Sequence, residues 1–161
     1  MPSAARRAIA IEARAQMEKF LDYGLPLLHL DSHHHSHTDY IIAKTALPIA
    51  KGLGFKTVRL SRNLGRSIGG IKNVYKKWFN GYVREMGFNS ANYFCGFVPA
   101  EVLRLADADV VIEMMAHPFF HKGKMADLAG ELGDGCRPIS SLSDFVASLS
   151  ENIQRCTYVQ L

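Results

Sequence analysis

All seven histidines of the chain fall in two short segments. Five lie in His29-Leu-Asp-Ser-His33-His34-His35-Ser-His37, and two lie in His117-Pro-Phe-Phe-His121. Neutral imidazole is the side chain most often found on a metal ion, and carboxylates complete or orient such sites. A bound divalent ion lowers the pKa of its water from about 15.7 to about 7, which makes a nucleophile at neutral pH. A second histidine can protonate a leaving group. The residue types therefore suit metal-assisted hydrolysis. The bland alternatives are a surface loop for the first segment and, for His117, a strand-end imidazole bonded to backbone.

Position sharpens the hydrolytic reading. Each segment follows or ends a predicted strand, over residues 27–31 and 109–117. In parallel α/β folds, functional groups gather at the carboxyl ends of the strands. Side chains alternate between the two faces of a strand. If the first strand persists, His29, Asp31 and His33 share one face, opposite Leu28 and Leu30. A strand over 56–61 sets Thr57, Arg59 and Ser61 against Val58 and Leu60. The strand over 109–117 sets Glu113, Met115 and His117 against Ile112, Met114 and Ala116. Burying ionisable groups without a partner or a metal is costly. The pattern predicts one polar site lined by Asp31, His33, Arg59, Glu113 and His117.

The elements that would carry this site are legible as periodicities. Ile9, Ala13, Met17, Phe20 and Leu21 recur at helical spacing, so residues 4–23 read as a helix capped by Ser3 and stopped by Gly24. Residues 38–53 read as a second helix. Glycines at 65, 69 and 70 mark a loop over 61–70. Ile71, Val74, Tyr75, Trp78, Phe79, Tyr82, Val83 and Met86 then form an apolar stripe on a third helix. Phe94-Cys-Gly-Phe97 reads as core-edge packing. Pro99 opens a short helix to about Ala106, residues 122–139 look loop-like, 140–153 read as a helix, and 157–161 as a last strand. Alternating strands and helices predict an α/β fold, a partial (β/α) barrel-like parallel sheet with surrounding helices, in one domain over 1–161.

Composition removes several function classes. The chain has 161 residues, 48% of them apolar and 21% charged, which is ordinary for a globular domain and excludes a disordered or collagen-like chain. The net charge of +4 permits an anionic partner, but the 19 basic residues make no run, so no nucleic-acid arm is expected. Lys72, Lys76 and Lys77 interleave with Tyr75, Trp78 and Phe79, and the apolar stripe favours a packed helix with a solvated basic back over base stacking. No stretch approaches the roughly 18 apolar residues of a membrane span. Cys95, Cys136 and Cys156 form no CxxC pair and read as reduced thiols of a cytoplasmic protein. Neither a nucleophile elbow nor a phosphate-binding glycine motif is present.

The segment His29-Leu-Asp-Ser-His-His-His-Ser-His37 resembles the HLDSHHHxH signature of the YdjC/ChbG carbohydrate deacetylases. Glu113-Met-Met-Ala-His117-Pro118 resembles the second signature of that family, a strand ending in a His-Pro pair. Glu12, Ala15-Gln16 and Phe20-Leu21 before the first motif, and residues 54–60 after it, extend the likeness over nearly the whole chain. The resemblance implies a barrel-like α/β fold and a hydrolase, dependent on a divalent metal (Mg or Zn), that removes acetyl groups from N-acetylated sugars such as chitooligosaccharides. It implies His33 as metal ligand, His117 on the opposite wall as the acid or a substrate contact, and Asp31 as orienting the site; with the strand-face pattern, Asp31 and Arg59 are expected to bind substrate. His37 is the local alternative ligand. The matching portion corresponds to the C-terminal two-thirds of a family member, without the early Asp-Asp-Phe-Gly strand. A full barrel takes about 250 residues. An open parallel edge is therefore expected, and with it a homodimer, since unpaired edges associate.

Overall fold

A computed structural model describes residues 3–64, 70–96, 109–121, 123–128, 136–138 and 156–160. They fall in two compact units, one formed by Met1–Asn63, Ser67–Ala91 and Cys156–Leu161, the other by Leu64–Arg66 and Asn92–Arg155.

In the first unit, helix α1 (Ser3–Asp22) buries only Met17 fully. It ends where Gly24 adopts φ +64, a left-handed turn that favours glycine. Strand β1 (His29–Leu30) follows, and then a 3-10 helix over His33–Thr38. Helix α2 (Tyr40–Gly52) is capped by Asp39, whose carboxylate accepts the backbone N–H groups of Ile41 and Ile42 at 3.0 and 3.4 Å. Its buried face is Ala43, Ala46, Leu47 and Ala50, small enough for α1 to pack closely. Phe20 of α1 and Phe55 meet with ring centres 6.0 Å apart.

Strand β2 (Thr57–Val58) runs parallel to β1, in register His29 with Thr57 and Leu30 with Val58. On its other side, Val58 N–H reaches the Asn89 carbonyl at 3.1 Å and Asn89 N–H reaches Lys56 at 2.9 Å. Helix α3 (Ile71–Glu85) covers the sheet with Phe79, Asn80 and Val83. Leu47, Val58, Leu60, Phe79 and Val83 are fully buried, and each such side chain stabilises the fold by roughly 1.5–3 kcal/mol.

In the second unit, β3 (Tyr93–Gly96) pairs in parallel with β4 (Ile112–Met115), with Phe94 and Cys95 buried. Strands β5 (Pro118–His121), β6 (Lys124–Leu128) and β7 (Cys136–Pro138) form an antiparallel sheet.

The α/β class and the parallel pairing match the expectation. Among the described residues the strands form three small sheets and no closed barrel. Several local expectations are corrected. The first strand stops at Leu30, because residues 33–38 coil into a 3-10 helix with His34 and His35 at φ 52 and 58. The segment from Phe94, read as packing, is indeed buried at Phe94 and Cys95, and residues 93–96 in addition form a strand. Within the 122–139 loop-like stretch lie β6 and β7, held by cross-strand bonds that no strong alternation announces. Tyr158–Gln160 is a 3-10 turn rather than a strand, closed by the Gln160 N–H to Thr157 at 2.9 Å.

The α3 stripe is only partly core. Ile71 and Val74 are 88% and 69% exposed, while Trp78 packs among Tyr40, Tyr75 and Tyr82 at 5.1, 5.4 and 5.6 Å. Lys44 of α2 lies over the Tyr82 ring at 3.7 Å, so these aromatics and a lysine are used within the unit. The helices expected near 99–106 and 140–153 lie outside the described residues. No described helix is long and apolar enough to cross a membrane.

Candidate functional site

The first histidine segment is held by a compact network at the carboxyl ends of β1 and β2. Arg59, one residue past β2, is 7% exposed. Its Nη2 pairs with Asp31 Oδ1 at 2.5 Å and lies 3.2 Å from the Ser32 carbonyl and 2.8 Å from His35 Nδ1, three contacts that share two hydrogens. The alternation of β2 explains this placement: Val58 and Leu60 fill the core, and Arg59 turns to the opposite face.

His37 is 3% exposed. Its Nε2 lies 3.0 Å from the Arg59 carbonyl, which can only accept, so Nε2 carries the hydrogen. Nδ1 then accepts from the Ser32 hydroxyl at 2.7 Å, and the Ser32 Oγ accepts the His37 backbone N–H at 2.8 Å. The Phe79 ring closes the far side at 5.7 Å, edge-on. Burial holds the His37 pKa down at about 4, against its bond to the Arg59 carbonyl and the nearby Asp31, which raise it. The ring is neutral at pH 7 and both nitrogens are engaged. His37 is therefore a staple for the loop, and the expectation that it substitutes as a ligand is corrected.

His29 is a second, half-buried imidazole. Its Nδ1 is hydrogen-bonded to Thr57 Oγ1 at 2.9 Å, and its ring stacks on Tyr158 at 3.7 Å. Burial lowers its pKa to about 4 as well, with Asp31 opposing the shift and Arg59 and His37 adding to it. His33 and His34, by contrast, are exposed and stack on each other at 4.0 Å. Because the strand ends before it, His33 does not lie on the strand face it was expected to share with His29 and Asp31.

The structure thus brings together Asp31, Arg59 and the loop that bears His33. Arg59 is turned inward onto protein acceptors, while the Asp31 side chain keeps 40% of its surface exposed. A cavity of about 290 Å³ opens beside them. Its apolar wall includes Met17, Phe20, Leu30 and Phe55, and its polar end includes Gln16, Asp31, Ser32 and Ser36.

Glu113 and His117 belong to the second unit. Glu113 is half-buried on β4. His117 is exposed, and its backbone N–H donates to Asp127 Oδ2 at 2.6 Å. Asp127 is 5% exposed on β6. Sequence reasoning missed Asp127, and no spacing signal points to it. It also missed Asn80, whose amide clamps both backbone groups of Ser61 at 2.8 and 3.0 Å. An asparagine beside Phe79 on the buried stripe was the available clue.

A catalytic ion takes about three protein ligands and keeps one position open. Among the described residues, no group of three or more His, Cys, Asp and Glu side chains is placed to hold one. His37 is sealed and Asp31 is committed to Arg59. These residues do not by themselves make a metal shell.

A histidine-rich loop at the carboxyl ends of parallel strands in one unit, and a histidine just past a parallel strand in the other, place the chain in the α/β class. The chain belongs to the YdjC-like protein family, whose description it matches over residues 2–150. It is 33% identical over 113 residues to a carbohydrate deacetylase of Vibrio cholerae, an alignment covering 70% of this chain and 41% of the relative. It is 49% identical over 45 residues to a carbohydrate deacetylase of Vibrio parahaemolyticus, covering 28% and 18%. It is 64% identical over 31 residues to one of Vibrio campbellii, covering 19% and 12%. The chain spans about 41% of the length of the Vibrio cholerae relative. No solved structure matches it significantly.

Proposed function

We propose that this chain is a carbohydrate deacetylase, a hydrolase that removes acetyl groups from N-acetylated sugars such as chitooligosaccharides with the help of a divalent metal ion, Mg or Zn. The observation that carries the reading is the Arg59 and His37 network. It spends two buried groups on shaping a loop whose Asp31 lines a cavity and whose His33 is exposed. At about 290 Å³ that cavity is just below the roughly 300–1,000 Å³ range of ligand pockets, a size for about one sugar ring. Its apolar wall suits a pyranose face or acetyl methyl, and its polar end suits hydroxyls and an amide.

In this reading His33 is the ligand that the motif supplies to the ion. The ion would provide an activated water and charge stabilisation. Asp31 contacts the sugar, and Arg59 serves the substrate side by holding Asp31 in place. His117 donates the proton to the departing amine. The parallel pairs β1–β2 and β3–β4 are taken as parts of one barrel-like domain. Buried Cys95 and exposed Cys156 are free thiols, in keeping with a cytoplasmic setting. Among the described residues β1 pairs on one side only, the edge through which we expect a homodimer, checked by sedimentation.

Acetate release from an acetylated chitooligosaccharide tests the activity, with divalent-metal content measured on the same sample. The expected result is acetate formed in proportion to bound metal. Folded protein that releases none under excess Mg and Zn would end the enzymatic reading. The lack of a three-donor group among the described residues favours one second reading: a family member that binds metal or sugar without turnover, or that needs a partner chain to complete its site. Metal or sugar bound without acetate would establish it.

A further inference from the structure

We propose that Gln16 of α1 and Ser36 of the histidine loop are specificity residues for an acetamido group: the Gln16 carbonyl oxygen accepts its N–H, and the Ser36 hydroxyl donates to its carbonyl. The inference deepens the deacetylase reading and rests on it for the choice of ligand. The two residues themselves follow from the lining of the cavity.

Gln16 comes to the cavity through the helical repeat. Ala13, Met17 and Phe20 line its wall, and Gln16 falls between them on the same side of α1. Its Nε2 donates to Glu12 Oε1 at 2.8 Å, one turn back. A carboxylate has only acceptors, so the amide nitrogen is turned to Glu12, and a flipped amide would set oxygen against oxygen. Gln16 Oε1 is thereby left as an acceptor with no partner among the described residues. Gln16 and Ser36 are both exposed, so both are open to a ligand.

The other polar side chains of the cavity already carry bonds within the protein. Asp31 is paired with Arg59, Ser32 Oγ is bonded to His37, both ring nitrogens of His37 are engaged, and His29 Nδ1 meets Thr57. Ser36 is different. Its carbonyl accepts the Asp39 N–H at 3.0 Å, which fixes its place in the 3-10 helix, while its hydroxyl makes no hydrogen bond among the described residues. The cavity thus keeps one acceptor on α1 and one hydroxyl donor on the loop. A secondary amide is planar and trans, so its N–H and C=O point in opposite directions. One side chain does not serve both, and two groups from separate elements do. The acetyl methyl then has Met17, Phe20, Leu30 and Phe55 as its apolar wall. A free ammonium would meet that wall at a desolvation cost that an acetyl group escapes.

The test is a proton–nitrogen NMR titration of the full chain with N-acetylglucosamine and, in parallel, with glucosamine, using Gln16→Leu and Ser36→Ala beside the unmodified protein. N-acetylglucosamine is expected to shift the Gln16 side-chain amide signal, and glucosamine to bind about tenfold more weakly. Each substitution should weaken N-acetylglucosamine binding about three- to tenfold, the effect of one lost hydrogen bond, with the rest of the spectrum unchanged. On an acetylated chitooligosaccharide, KM should rise by the same factor, with kcat changed far less. A Gln16 amide signal that N-acetylglucosamine leaves in place would overturn the proposal, and that spectrum decides even if Q16L fails to fold. Equal binding of glucosamine, or a folded Q16L of unchanged affinity, would overturn it too. Acetate release with an unchanged KM in Q16L would sink the proposal and leave the deacetylase reading standing. Absence of acetate from every form, with the binding differences present, would count against the deacetylase reading alone.

Discussion

The two histidine segments are built in different ways. In the first, buried His37 and half-buried His29 are neutral and bonded through their ring nitrogens, while His33 and His34 are exposed a few residues away. In the second, His117 is exposed and is located by its backbone N–H, which Asp127 accepts at 2.6 Å. One segment thus spends some of its imidazoles as scaffold so that others are held outward. The other uses a buried carboxylate from a neighbouring strand and leaves its histidine ring uncommitted to that support. A histidine count therefore overstates the number of groups free for chemistry in the first segment, and burial is what separates the two kinds.

Substitutions break this comparison at different depths. The largest effect is expected for His117→Gln, which removes the exposed ring that the proposed reaction uses as its proton donor. The kcat for acetate release should fall by about 100- to 10,000-fold, with the thermal midpoint almost unchanged. His37→Ala should do the reverse in stability. It removes the imidazole's bonds to the Arg59 carbonyl and the Ser32 hydroxyl and leaves a cavity beside Phe79, and should lower unfolding free energy by about 3 kcal/mol in urea titrations. Asp127→Ala removes the acceptor of the His117 N–H and should cost about 1–2 kcal/mol, while Asp127→Asn, which keeps an oxygen there, should recover most of it.

Acidification reads the same division without mutation. Unfolded, His37 protonates near its ordinary value of 6.5, and folded it does so at about 4. Between those values the unfolded chain binds more protons, so stability falls as pH drops from 6.5 towards 4 and is fully present above 6.5. The loss from His37 is on the order of 3 kcal/mol, with a smaller share from half-buried His29. Urea midpoints measured across this range check the slope, which His37→Ala should flatten.

The helices were legible because their signals are local. Asp39 caps α2, Gly24 ends α1, and Phe79 and Val83 recur on the buried side of α3. The strands were less so. Two-residue pairs such as β1 and β2 are set by neighbours far along the chain rather than by their own alternation. The polar parity set Asp31 and Arg59 toward one polar site, and in the structure the two form an ion pair that the parity did not specify. It could not show that the strand would give way to a 3-10 helix before His33, since that turn is held by Ser32 and His37 acting on each other. Asp127 stayed hidden because the contact is to a backbone group ten residues away, which leaves no trace in side-chain spacing.

The division of labour in the first motif is tested most directly by following the His37 imidazole by nitrogen-15 NMR from pH 8 down to pH 3.5. The account predicts a neutral Nε2–H ring throughout the physiological range, with protonation centred near pH 4. A midpoint near 6.5, or an Nδ1–H ring at neutral pH, would show that His37 is not the sealed staple of the loop and would contradict it.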